Sequence, residues 1–255
     1  RELNNIVDMF EPDMALAIVM NPNTGEIYGM GSRPDYDPNN YQNYNQQVLS
    51  RNLPIWATYE PGSTQKIITT SAAVEEKVVD LDNDLFYDSG SVKVDTAKIK
   101  CWKAGGHGQQ TFMEVLQNSC NPGFVKMGQL LGKDRLFSYL DKFGFGAKTG
   151  VDLSGEGKGI IFPLSKVGNV ELATTAFGQG ISVTPIQQVT AVSAVVNGGK
   201  LYQPYILKSI SEKETGNIIK KNSKKFIRQT ISKETSNTMR RALENVVAKG
   251  GGKAA

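Results

Sequence analysis

Ser63-Thr-Gln-Lys66 places a hydroxyl and an amine three positions apart, directly after Pro61-Gly62. A serine hydroxyl is a weak nucleophile until something accepts its proton. On a helix, a lysine three residues on lies on the same face, about one turn away. In a partly desolvated pocket its amine loses charge readily and can act as a base. A helix opening at Ser63 also directs unpaired backbone N–H groups and a positive dipole end towards that hydroxyl. The Ser63 N–H could then stabilise a developing oxyanion. The chemistry suggested is acyl transfer through a covalent serine ester. By itself the four-residue pattern is also what a polar helix turn looks like.

Ser119-Cys-Asn121 follows 56 residues after Ser63, ahead of Pro122-Gly123. Such a serine could relay a proton between a lysine and a leaving amine. The Asn121 amide could hydrogen-bond a substrate amide. A polar helix end explains this short stretch equally well on its own. The two cysteines, Cys101 and Cys120, and the single histidine, His107, fall in the same region. Thiolate and imidazole are preferred zinc ligands, and an acid or water would complete a tetrahedron. Asp88 and Asp95 are the candidate fourth ligands. A Cys101–Cys120 disulfide and two buried thiols are the competing readings, and the spacing fits no standard zinc-finger pattern.

The elements that must hold these groups can be read from pattern. Ala15–Met20 and Glu26–Met30 flank the turn signal Asn21-Pro-Asn-Thr-Gly25 and read as a hairpin. Residues 33–53 carry little periodicity and read as a surface loop. Residues 63–76 read as a helix with an apolar and small-residue face. Thr111-Phe-Met-Glu114 has capping-box spacing and opens a helix that should stop near Asn121-Pro122-Gly123. A helix should then run from Phe124 to Phe143, followed by a Gly-rich loop over 144–168. Thr184-Pro185 starts another helix, which ends at Asn197-Gly-Gly199. Residues 201–210 look strand-like, and 232–248 form a last helix.

The whole chain has 255 residues and a net charge of +4. That length suits one large core, and the composition is that of an ordinary globular protein. The small positive charge suits an anionic surface without requiring one, and no nucleic-acid partner is indicated. No run of eighteen apolar residues is present, and Arg1-Glu2-Leu3-Asn4 does not read as a signal peptide. The fold class expected is α+β, an antiparallel sheet with a helical subdomain.

Taken together, the two motifs have the arrangement of penicillin-recognising serine enzymes. Tyr59-Glu-Pro-Gly-Ser-Thr-Gln-Lys66, Phe143-Gly-Phe-Gly146 with Asp152-Leu153 and Glu156, and Ala176-Phe-Gly-Gln-Gly180 with Thr184-Pro185 resemble class B penicillin-binding proteins. Cys101-Trp-Lys-Ala-Gly-Gly-His-Gly108 with Ser119-Cys-Asn-Pro122 is most similar to the Gram-positive, sporulation-type branch of that class. The resemblance begins near Met14 and covers nearly all of the chain. It implies the penicillin-binding-protein/β-lactamase-like transpeptidase fold. It also implies peptidoglycan D,D-transpeptidase activity on stem peptides, with acylation by β-lactams. Ser63, Lys66 and Ser119 would be catalytic and Asn121 would bind substrate. Further implications are the extracytoplasmic face of the membrane, an N-terminal anchor helix outside these residues, and a membrane glycosyltransferase partner.

The family carries a third motif, Lys-Thr/Ser-Gly, on a late strand. Here Lys148-Thr-Gly150 lies in the Gly-rich segment without a strand pattern and reads as a coincidence. Residues 1–255 are therefore expected to be a transpeptidase domain ending before the third motif. Such a chain would lack C-terminal strands, including the one donating the second oxyanion N–H, and would not be competent alone. No cofactor is required for the chemistry, and zinc, if bound, would be structural. A D,D-carboxypeptidase, a serine β-lactamase and a non-catalytic β-lactam sensor or scaffold are the alternatives. Against the β-lactamase, no loop glutamate stands where a deacylating base would be needed.

Overall fold

The computed structural model describes residues 1–252. In chain order the elements are α1 (Glu2–Phe10), β1 (Ala15–Met20), β2 (Ile27–Arg33), α2 (Gln46–Ser50), α3 (Leu53–Trp56) and α4 (Lys66–Glu75). Next come β3 (Leu85–Asp88), β4 (Ser91–Val94), β5 (Ala97–Lys100), β6 (Gly108–Thr111), α5 (Phe112–Gln117), α6 (Asn121–Lys142) and α7 (Asn169–Ala176). The last are α8 (Pro185–Val196), β7 (Lys200–Tyr202), β8 (Ser209–Ser211), β9 (Ile218–Lys221), β10 (Phe226–Gln229) and α9 (Lys233–Lys249). This is the α+β architecture expected. Its strands form two-stranded antiparallel ladders, β1–β2, β3–β6, β4–β5, β7–β10 and β8–β9.

At the centre lies α4, packed against α6, α8 and α9. Its face is built of small residues because neighbours approach from several sides: Ser71, Ala72 and Ala73 are fully buried. The buried hydroxyls do not go unpaired. Thr70 and Ser71 donate back to the Lys66 and Ile67 carbonyls, and Thr69 reaches the Ala176 carbonyl on α7. Around α4 a single large core gathers Phe112, Val115, Phe124, Met127, Leu136, Phe143, Ile181 and Met239. α9 is fixed to α4 by Glu75, which accepts from the Ser232 N–H and hydroxyl at the N-cap of α9.

Four expectations need correction. Residues 33–53 are not all loop: a 3-10 turn (Pro38–Asn43) and α2 lie within them, each opened by an Asx cap from Asp37 or Asn45. Asn121-Pro122-Gly123 does not end a helix but begins α6, since proline is tolerated in a first turn. Within α6, Gly132 adopts a non-helical conformation and breaks the run predicted as continuous from Phe124 to Phe143. The strand-like stretch 201–210 is split between β7 and β8, which pair with different partners. Among the described residues no strand follows α9.

Candidate active site

The Ser63 turn is held from outside its own sequence. Gly62–Gln65 is a 3-10 turn leading into α4, and Ser63 is exposed at its surface. Two segments of the 176–183 stretch clasp the residues before it. Tyr59 and Val183 exchange backbone hydrogen bonds at 3.0 and 2.9 Å, and Gly62 N–H donates to the Gly178 carbonyl at 2.9 Å. Glu60 accepts from Gly180 N–H at 2.8 Å. Gly178 sits at φ +85°, and a Cβ there would lie 2.1 Å from the Gly62 oxygen. Only glycine permits this approach. The Ser63 N–H precedes the first 3-10 bond, Thr64 N–H to the Pro61 carbonyl, so it stands in the unpaired first turn.

Ser119 arrives by a different route. α5 is opened by the Thr111–Glu114 capping box read in the sequence. It closes with Ser119 N–H on Leu116 O and Cys120 N–H on Val115 O, each at 3.0 Å. That is the Schellman pattern, whose left-handed position normally takes glycine. Serine occupies it here at φ +50°. The cost of a side chain in this conformation is on the order of 1 kcal/mol. The chain then turns directly into α6, which carries Asn121 in its first turn.

These elements bring the four predicted residues together. Lys66 Nζ donates to Ser119 Oγ at 2.8 Å, to the Ser119 carbonyl at 2.8 Å and to Asn121 Oδ1 at 2.7 Å. Ser119 Oγ and Ser63 Oγ are 2.9 Å apart. The lysine is therefore joined to Ser63 through Ser119, rather than directly as the three-residue spacing suggests. Lys66 is 2% exposed, and burial pushes its amine down to about 8, against a smaller opposing influence of Cys120 and Cys101. Phe124 lies under the ammonium at 5.2 Å. At pH 7 about one amine in ten is neutral. A neutral amine can accept from the Ser119 hydroxyl, leaving that oxygen free to accept from Ser63.

Behind Ser119 the second predicted group also assembles. Asp88, Cys101, His107 and Cys120 place their ligand atoms within 4.8 Å of one another. Asp88 Oδ2 stands 3.0 Å from His107 Nδ1 and 3.3 Å from Cys120 Sγ, and Cys101 Sγ is 3.3 Å from His107 Nδ1. Asp95 is not among them: it sits in the β4–β5 turn and accepts from Asn169. Both cysteines are free thiols, not a disulfide. Burial pushes the Cys120 thiol up to about 12 and also raises Cys101. Burial acts to raise Asp88 too, yet hydrogen bonds from Cys101, Gly90 and His107 hold it well below the usual carboxylate range. A Cβ on Gly106 would lie 2.3 Å from the Asp88 carbonyl, so the 103–108 loop closes onto β3 only with glycine at φ +78°.

Lys148-Thr-Gly150 lies in an irregular loop, away from this cluster of contacts. The Thr149 and Gly150 N–H groups donate to the buried Glu156 carboxylate, and the Gly150 carbonyl accepts from Gln203. Sequence reasoning missed the supports of the site: Phe124, Glu60 with Gly180, and Gly178 against Gly62. The 176–180 segment was noticed only as a resemblance, because nothing local in it announces contact with residues more than a hundred positions earlier.

Residues 15–255 match the penicillin binding protein transpeptidase domain. The chain is 60% identical over 253 residues to the stage V sporulation protein D of Bacillus subtilis strain 168, covering 99% of the chain and 39% of that relative. It is 31% identical over 204 residues to the peptidoglycan D,D-transpeptidase FtsI of Escherichia coli K12, covering 80% of the chain and 34% of the relative. Penicillin binding protein 3 of Mycobacterium tuberculosis, solved in complex with aztreonam, superposes with a TM-score of 0.88 at 26% identity. That match covers 98% of this chain and 55% of the other. The chain thus spans well under half the length of these curated relatives.

Proposed function

Since the chain belongs to the penicillin binding protein transpeptidase domain family, we propose that it carries the acyl-transfer site of a peptidoglycan D,D-transpeptidase, with Ser63 as nucleophile. The carrying observation is the unbroken path from Ser63 Oγ through Ser119 Oγ to the buried Lys66 amine. Neutral Lys66 takes the Ser119 proton as Ser119 takes that of Ser63. The Ser63 oxygen attacks the carbonyl of the penultimate D-alanine in a stem peptide. The Ser63 N–H stabilises the oxyanion. The C–N bond then breaks, the relayed proton returns to the leaving amine, and D-alanine departs. An amine from a neighbouring strand attacks the ester, and its proton follows the same path before Ser63 is released. Asn121 accepts from the lysine through Oδ1 and binds a substrate amide. A β-lactam acylates the same oxygen, with its ring amide standing in for the scissile bond.

The 60% identity to a stage V sporulation protein supports a role in sporulation-linked wall synthesis. Among the described residues no helix is long and apolar enough to cross a membrane. A membrane anchor outside these residues, an extracytoplasmic position and a membrane glycosyltransferase partner complete this reading.

Intact-mass spectrometry before and after penicillin tests it. One penicilloyl adduct is expected on wild type and none on Ser63→Ala. An adduct that persists in the alanine variant would end the assignment.

The cluster at Asp88 supports a second reading, a structural zinc. Two sulfurs, one imidazole nitrogen and one carboxylate oxygen converging in a buried space suit zinc's preferred donors and its tetrahedral geometry. The metal would supply charge to keep both thiols ionised and would brace the turn in which Cys120 separates Ser119 from Asn121. Metal analysis of protein purified without chelator should find one zinc per chain, reduced in Cys101→Ser. Absence of zinc from the wild type would dismiss it.

A further inference from the structure

Trp102 is 69% exposed, although an indole is the side chain with most to gain from burial. It is not a loose surface group. Its Nε1–H donates to the Asn118 carbonyl at 2.7 Å. The His107 ring meets it edge-on, 5.3 Å between centroids at 69°. The loop that bears it is tied at both ends, since Cys101 N–H donates to Gly90 O at 2.9 Å and His107 N–H to Asp88 at 3.0 Å. The orientation is therefore set on one side while the rest of the ring faces solvent.

The place is as telling as the exposure. The carbonyl that Trp102 grips belongs to the peptide bond entering Ser119, whose hydroxyl lies 2.9 Å from that of Ser63. A pre-oriented aromatic surface binds an extended chain with little loss of side-chain freedom. Towards the Asp88 cluster the indole offers an edge contact to the His107 ring, while most of its own surface stays open.

We propose that Trp102 is a specificity-determining wall of the substrate cleft, packing against the aliphatic part of the acyl-donor peptide beyond the scissile bond. The inference rests on Ser63 being the acyl-accepting group. It separates two classes of acyl donor. A stem peptide extends far enough to reach the indole. A small β-lactam occupies Ser63 and its immediate surroundings.

The test uses the full-length protein with Trp102→Ala and Trp102→Phe. Two rates are measured: Ser63 acylation by a fluorescent penicillin, and D-alanine release from a pentapeptide ending in D-Ala–D-Ala. For the alanine variant, KM for the pentapeptide should rise about tenfold with kcat within about twofold, the pattern of lost substrate binding rather than lost chemistry. Its penicillin rate should stay within about threefold of wild type. The phenylalanine variant, which keeps the aromatic face but not the N–H, should resemble wild type in both assays. An unchanged KM in the alanine variant overturns the proposal. So does an equal fall in both rates, which would make Trp102 a support for Ser119. Failure of wild type to react with penicillin at Ser63 would instead remove the reading beneath it. An independent measurement covers the case of a variant that does not fold. The full-length protein is labelled with 5-fluorotryptophan, and the 19F signal of Trp102 is the one lost in Trp102→Phe. That signal should shift saturably with pentapeptide in the full-length protein, and an unshifted signal counts against the wall.

Discussion

Ser119 carries two demands that conflict. Its backbone closes α5 in the left-handed position where glycine fits best, while its hydroxyl lies between Lys66 and Ser63. The conflict can be measured with two variants that both lack the hydroxyl. Ser119→Gly should be more stable than Ser119→Ala by about 1 kcal/mol, because only the glycine relieves the strained φ. Both should lose on the order of a hundredfold or more in penicillin acylation of Ser63. Thermal melts together with acylation rates check the pair, and an alanine variant as stable as the glycine one would contradict the strain. Lys66 makes the second prediction at this scale. In the proposed mechanism its amine acts when neutral, and burial holds it down to about 8. Acylation should therefore rise about tenfold per pH unit below 8 and level off above it. A flat profile between pH 6 and pH 9 would exclude this lysine as the base.

At the scale of elements, the site is a junction of three pieces: the 3-10 turn before α4, the α5–α6 corner and the 176–183 segment. The Thr111–Glu114 capping box, the helix opened by Thr184-Pro185 and the β1–β2 hairpin were legible because each is coded within a few neighbouring residues. The α5–α6 corner was misread, since Asn-Pro-Gly serves as a stop or a start depending on what packs beside it. The clasp between Gly178 and Gly62 has no local code at all. Gly178→Ala would force its Cβ against the Gly62 oxygen. It should lower stability by about 1–3 kcal/mol and displace the turn that aims Ser63. Penicillin labelling should fall more than the fraction unfolded explains. Normal labelling of folded protein would show that the clasp is not what positions Ser63.

Across the whole molecule, the buried ionisable groups leave a mark on stability. Lys66 binds its proton less tightly in the fold, at about 8, than in the unfolded chain, near 10.5. Between those values the unfolded chain holds more protons, so stability rises with pH. In the metal-free protein the raised thiols of Cys101 and Cys120 act in the opposite direction above about pH 9, where the unfolded chain releases protons that the fold retains. The lysine contribution is therefore clearest from pH 8 to 9, where it amounts to about 1 kcal/mol, or roughly 2–4 °C in Tm for a protein of this size. Lys66→Met should lack that rise. Taking the difference between wild type and variant cancels the thiol contribution. A difference in Tm that is constant from pH 8 to 9 would contradict the burial of a titrating amine.

The sequence by itself determined the α+β class and the helix that follows Ser63, and it named Ser63, Lys66, Ser119 and Asn121 as candidate site residues. These follow from short-range hydrogen bonding, periodic burial and the known arrangement of such motifs in one family. It also marked Cys101, His107 and Cys120 as a group. Tertiary structure alone decided that Lys66 meets Ser63 through Ser119, that Asp88 rather than Asp95 joins the cysteines and histidine, and that Gly178 braces the reactive turn. Each of these depends on which distant segment fills the space beside a residue. Desolvation, close approach and donor–acceptor geometry are properties of that space, and the order of residues along the chain does not contain them.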